Sequence, residues 1–230
     1  MRVLAFDVGT KTLSYCCLEV EHEAPPVVHA WEIINIHEEA GVSGKTKPTM
    51  REDAEYIIGV LRRRVDVLGA LMPDAVVIEQ QPAGGHNAFS SVRMKVLSHV
   101  IHAFFFMSAI PAPATFVSPS TKLVGMDTGE TAEDVKARQA GDRKTMGAKY
   151  RRNKRHAVEM VTRLMDTVAT STVTNLEAAV VFEAAKPKQD DLADAFMLAY
   201  AFGKKHTTPK PSRKRKAPSQ SKKSGSVESS

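Results

Sequence analysis

Two short apolar runs, Arg2–Phe6 and Ala75–Ile78, each stop at a carboxylate, Asp7 and Glu79. Each acid is followed by loop chemistry, Gly9-Thr10 in the first case and Pro82-Ala-Gly-Gly in the second. Runs this short, rich in Val and Ile and bounded by Gly or Pro, read as strands rather than helices. In open α/β sheets ligands gather outside the carboxyl ends of the strands. If the two strands are parallel neighbours, both acids meet at one edge of the sheet. A charge buried there is costly unless it is paired or binds a metal.

The rest of the chain supplies a sheet for these strands. Leu13–Val20 and Val27–Ile36 read as two more strands, broken by Glu-His-Glu-Ala-Pro-Pro. The first three strands therefore form an antiparallel meander. Residues 38–49 are polar and contain Gly and Pro, which predicts a loop. Arg51–Leu71 is predicted helical, with Ala54, Ile57 or Ile58, Leu61, Val65 and Leu68 at helical spacing. Phe89–Ser108 is a long, strongly apolar helix, and Ala114–Val117 a short strand. Ala75–Ile78 and Ala114–Val117 both read as strands buried on two faces, as central parallel strands are. Residues Gly125–Gly147 form a polar excursion. Lys149–Val168 is a basic amphipathic helix with Ala157, Met160, Val161 and Leu164 on one side. Helices at about Leu176–Ala185 and Lys188–Phe202 follow. The order βββαβαβ then helices predicts an α/β fold: a mixed five-stranded sheet flanked by helices.

Charge divides the chain. The overall +6 is concentrated after residue 203, where Lys204–Ser230 holds nine Lys/Arg and one acid, leaving 23 basic and 25 acidic residues in 1–203. The tail lacks large aliphatic residues and cannot bury enough apolar surface to fold. The expected organisation is one folded domain, 1–203, and a disordered basic tail, 204–230. No apolar run is long enough to span a bilayer, and the N-terminus does not read as a secretion signal. Cys16 and Cys17 are neighbours on a predicted strand, so they point to opposite faces and read as buried reduced thiols.

The last predicted helix carries a second pair of acids, Asp191 and Asp194. At i and i+3 they share a face, in the first turn, where the helix dipole favours negative charge. Leu192, Phe196, Ala199 and Tyr200 lie on the other side. Asp190 competes with Asp191 for the role, since Asp190 and Asp194 are also neighbours. Four carboxylates without His or Cys partners suit Mg²⁺ or Mn²⁺. Two such ions would activate water for phosphodiester hydrolysis. Taken singly, the helix acids are ordinary N-terminal charges and Asp7 an ordinary turn residue; their combination carries the reading.

Leu-Ala-Phe-Asp7-Val-Gly-Thr-Lys, Val-Val-Ile-Glu79-Gln-Gln and Lys-Gln-Asp-Asp191-Leu-Ala-Asp194-Ala together resemble the three acidic motifs of RuvC-type Holliday-junction resolvases, nearest to the poxvirus-like viral branch. The resemblance covers roughly residues 1–203. It implies an RNase H-like fold, a homodimer, two Mg²⁺ ions and paired symmetric nicks across a four-way DNA junction. It carries the metal-ligand role to Asp7, Glu79, Asp191 and Asp194. It also matches Lys122 and Lys154 to family lysines near the scissile phosphate, and the Phe89–Ser108 helix to the dimer-forming helix. A dimer would set two sites on a two-fold axis, the symmetry of a junction.

Local basic clusters suit a polyanionic partner. Lys149, Arg151, Arg152, Lys154 and Arg155 crowd a helix start, where the dipole disfavours cations. With His86, Asn87, Arg93 and Lys95, and with Arg62, Arg63 and Arg64, they are expected to line a phosphate track. Ser212-Arg-Lys-Arg-Lys216 resembles a nuclear localisation signal, with non-specific nucleic-acid attraction as the rival reading. Either suits an enzyme of a eukaryotic nucleus or of a viral replication site. The competing functions are an RNase H-like nuclease acting on RNA or other branched DNA, a non-catalytic junction-binding protein, and an ATPase of the actin and sugar-kinase class. The last needs two such lobes, and this chain has room for one.

Overall fold

The computed structural model describes residues 1–42, 47–81, 88–119, 121, 146–168 and 173–209, with side chains described except at 88–89, 146–153, 167–168 and 173–174. Lys122, most of the 125–147 excursion, His86, Asn87 and nearly all of the basic tail lie outside these residues.

Five strands form one mixed sheet in the order β3-β2-β1-β4-β5. They are β1 (Arg2–Val8), β2 (Thr12–Glu19), β3 (Val27–Asn35), β4 (Ala75–Glu79) and β5 (Ala114–Val117). β1–β2 and β2–β3 are antiparallel, while β1–β4 and β4–β5 are parallel. The meander and the two parallel strands are thus as the sequence predicts. The expectation for β5 needs correction. It is parallel, but it is the edge strand, and all four of its residues are only half-buried. An apolar run shows that a strand is covered, not that it has a neighbour on each side.

The helices are α1 (Ile36–Glu39), α2 (Met50–Ala70), α3 (Ala88–Met107), α4 (Met146–Val168), α5 (Val173–Ala184) and α6 (Gln189–Thr207). α1 falls where the sequence suggested the end of β3 and a loop; Asn35 caps it by accepting from the Glu38 N–H. α2 starts at a capping box, in which Thr49 and Glu52 each satisfy the other's backbone N–H. α6 runs past the expected end at Phe202, and Lys204 donates to the Glu21 and His22 carbonyls, so the folded region extends beyond 203. Gly203 is required there: a Cβ at this position would sit 2.6 Å from Val20 Cβ.

Side-chain alternation splits the core into two layers. Leu4, Phe6, Val8, Val76 and Ile78 pack with Ile57, Leu61, Leu97, Ile101 and Phe105 of α2 and α3. Val3, Ala5, Cys16, Leu18 and Val77 pack with α4, α5 and α6 on the other face. Cys16 and Cys17 fall in opposite layers, both buried and free. Burial pushes the Cys17 thiol up to about 12 and raises Cys16 as well. α6 is buried nearly all round from Leu192 to Ala201 because it lies between the sheet and α4 and α5, rather than showing one apolar face.

Among the described residues no helix is long and apolar enough to cross a membrane.

Candidate active site

The register of β1 and β4 sets the site. Phe6 pairs with Ile78, so Asp7 and Glu79 stand abreast, one residue further along parallel neighbours. Alternation assigns both to the α6 layer, because Ala5 and Val77, two residues earlier on each strand, pack there. Both acids are half-buried.

The sheet grips the first turn of α6 at this edge. Ser14, the register partner of Asp7 on β2, donates its hydroxyl to the Asp191 carbonyl at 2.9 Å. Trp31 of β3 donates its indole N–H to the Leu192 carbonyl at 3.0 Å and stacks on Phe182 of α5. Thr12 donates to Asp191 Oδ2 at 3.2 Å. The Asp191 carboxylate is thereby brought into the field of Asp7. Its pKa is raised, first by burial and next by Asp190, with Asp7 adding to the rise; Lys154 and Lys188 oppose it. Asp194 is half-buried one turn on, between buried Ala193 and Ala195.

Lys154 reaches this cluster from α4. Its ammonium bonds Asp190 and lies 3.6 Å from Asp191 Oδ1. Asp190, which the sequence left as an alternative to Asp191, is thus engaged by a lysine in this arrangement. A shallow cleft runs alongside, lined by Lys154, Arg155, Val158, Glu159, Gln189 and Asp190.

The other expected DNA contacts separate. Arg155 is exposed on α4, and Lys95 is exposed on α3 in the opposite layer. The two helices that carry them pack on opposite faces of the sheet. The side chains of Lys149, Arg151 and Arg152 lie outside the described residues. Arg93 needs correction. It is 3% exposed, bonds Asp53, and donates to the Pro48 carbonyl at 2.6 Å. His37 lies 3.0 Å from the other Asp53 oxygen. Arg93 shares the inward stripe of α3 with Leu97, Ile101 and Phe105, and Asp53 shares that of α2 with Ile57 and Leu61, so the two charges meet inside the fold. That pair was visible as one charge at i−4 from the apolar stripe on each helix. Two members of the arginine triplet are also occupied: Arg64 pairs with Glu32 and Glu39, and Arg63 with Glu39. Thr12, Ser14 and Trp31 were missed, since nothing in a strand's sequence says which helix will land on it.

The donor set, carboxylate oxygens alone, fits a hard divalent cation by its chemistry. Among the described residues, however, no group of three or more His, Cys, Asp or Glu side chains is arranged to hold one. Like charges on these acids oppose their closer approach.

No family model matches this chain, and no curated protein matches it in sequence. Solved structures do match. The yeast mitochondrial Holliday junction resolvase Ydc2 superposes with a TM-score of 0.55 at 16% identity, over 88% of this chain and 79% of its own. The T. thermophilus RuvC in complex with a Holliday junction substrate gives 0.54 at 16% identity, over 90% of this chain and 97% of its own. The fold is RuvC-like. At this identity the likeness establishes the RuvC-like architecture, a mixed sheet with the β3-β2-β1-β4-β5 order and helices on both faces.

Proposed function

We propose that the chain is a divalent-metal-dependent endonuclease that resolves four-way DNA junctions by paired symmetric nicks. The observation that carries the reading is the placement of Asp7 and Glu79 abreast on parallel strands, with the Asp191 carboxylate at the start of α6 in the field of Asp7. The RuvC-like fold supports it, since both matched structures are named as Holliday junction resolvases or contain junction DNA.

In this reading Asp7, Glu79, Asp191 and Asp194 hold two Mg²⁺ ions, for which Mn²⁺ can substitute. The bound ions supply a water of lowered pKa and neutralise charge at the scissile phosphate. The chain's own residues do the rest. Thr12, Ser14 and Trp31 fix the first turn of α6 against the sheet. Lys154 carries positive charge to the edge where a phosphate would approach, and Lys122 is proposed to share that role. Arg155 and Lys95, with Lys149, Arg151 and Arg152, contact the DNA backbone from two sides, which suits recognition of junction shape over base sequence.

A homodimer through α3 belongs to the same proposal. Val92 is 52% and Val96 37% exposed, and they line an apolar groove with Lys95, His99, Val100 and Ala103. The basic run at 212–216 is proposed to direct the protein to the nucleus or to a viral replication site in a eukaryotic cell.

The test is incubation of the full chain with a synthetic four-way junction and Mg²⁺. Two nicked duplexes, with linear duplex spared and Asp7→Asn inactive yet still binding, support the reading. Cleavage retained by Asp7→Asn overturns the mechanism. Preferential cutting of RNA or of other branched DNA transfers the chemistry to a different substrate.

A further inference from the structure

α6 begins without a side-chain cap: Lys188 stands at its N-cap position and makes no capping bond. The helix start is held from the sheet. Two hydroxyls at i and i+2 on one face of β2 take the two ends of the same residue, Thr12 the Asp191 carboxylate and Ser14, 1% exposed, the Asp191 carbonyl. The turn before β2 aims the first of these. The Gly9 N–H donates to the Thr12 carbonyl at 2.9 Å, and a Cβ at Gly9 would lie 2.9 Å from that oxygen and 3.0 Å from Thr12 Oγ1. A side chain at position 9 would displace the hydroxyl from its target.

The Asp191 carboxylate is under opposing pulls. Asp190 and Asp7 repel it, while Lys154 lies 3.6 Å from Oδ1 and Lys188 3.9 Å from Oδ2. Charge alone would draw it toward the lysines and away from Asp7. The Thr12 hydroxyl is a neutral donor fixed to the strand next to β1, and it bonds Oδ2, the oxygen that also lies 3.9 Å from Lys188, so it holds the carboxylate against a swing toward either lysine.

We propose that Thr12 is a positioning residue, whose hydroxyl holds the Asp191 carboxylate in the orientation needed to bind a divalent cation. The role rests on the metal-site reading given above. Partners that orient a metal ligand typically account for about 10–100-fold in metal affinity.

The experiment is a Mn²⁺ titration of the full chain without DNA, with free aqueous Mn²⁺ followed by electron paramagnetic resonance. Thr12→Val keeps the shape and removes the hydroxyl, Thr12→Ala removes it without the branched methyl, and Thr12→Ser retains it. The two hydroxyl-free variants are expected to bind Mn²⁺ about tenfold more weakly, and Thr12→Ser within about twofold of the parent. Parent-like Mn²⁺ affinity in either folded hydroxyl-free variant overturns the role of Thr12 and leaves the metal site standing. A parent chain that binds no Mn²⁺ overturns the metal reading itself.

Discussion

The Lys154 ammonium lies 3.6 Å from Asp191 Oδ1 while bonding Asp190. Adjacent acids on one helix turn thereby differ: Asp190 bonds the lysine, while Asp191 accepts from Thr12 and lies within the field of Asp7. Asp190→Asn, which can still accept from Lys154, is expected to keep junction cleavage within about tenfold of the parent, whereas Asp191→Asn loses at least about 10²–10³-fold, the scale of removing a charge-stabilising group. Single-turnover rates on a four-way junction check this. Equal losses in the two variants would return Asp190 to the metal site.

Asp191 also makes the metal-free fold pH-sensitive. Its folded pKa is raised, by burial and then by Asp190 and Asp7. An acid raised on folding disfavours the folded state above that folded pKa, and the penalty vanishes once pH falls below the unfolded value. Asp191→Asn is therefore expected to raise the melting temperature of metal-free protein at neutral pH, by under about 1 kcal/mol after solvent screening, or about 2–4 °C. The gain shrinks as the pH is lowered through the carboxylate range. Thermal melts from neutral to acidic pH in chelator would show it; a variant less stable than the parent at neutral pH contradicts it.

Removing one partner of a buried pair strands the other. Arg93→Met leaves Asp53, 1% exposed, without its guanidinium partner and with the His37 imidazole beside its carboxylate. The expected cost is about 3–5 kcal/mol in urea denaturation. Arg93→Met with Asp53→Leu should recover much of it, because two apolar side chains leave no unpaired charge. A loss below about 1 kcal/mol in the single variant would mean that solvent reaches the pair.

Val96 lies in the groove along α3 and is 37% exposed. In the proposed dimer Val96→Glu would set like charges against each other across the two-fold contact, so sedimentation should shift from dimer to monomer without a change in melting temperature measured at low concentration. An unchanged mass would direct the search for a dimer contact to another face.

Much of the sheet was legible in the sequence. The runs at 2–8, 12–19 and 75–79 are largely apolar because both faces are covered, and four of the helices show their period through Ile57/Leu61, Leu97/Ile101, Val161/Met165 and Leu192/Phe196. The Thr49–Glu52 capping box was written in the sequence as well. Arg93 was misread because a cation beside a polar loop resembles a phosphate contact until the helix phase is followed inward to Asp53. β5 was misplaced because its residues record that α3 covers it, not that its outer edge is open.

The sequence by itself determined which residues carry charge at strand ends and helix starts, since a carboxylate after an apolar run can be read from local order alone. Only the tertiary structure decided their company. Strand register put Asp7 beside Glu79, the Ser14 and Trp31 hydrogen bonds seated α6 against that edge, and helix packing sent Arg93 into the core and Lys154 to Asp190. Each of these relations joins residues far apart in the chain, and their free energy depends on burial and distance, quantities that exist only once the layers have closed on the sheet.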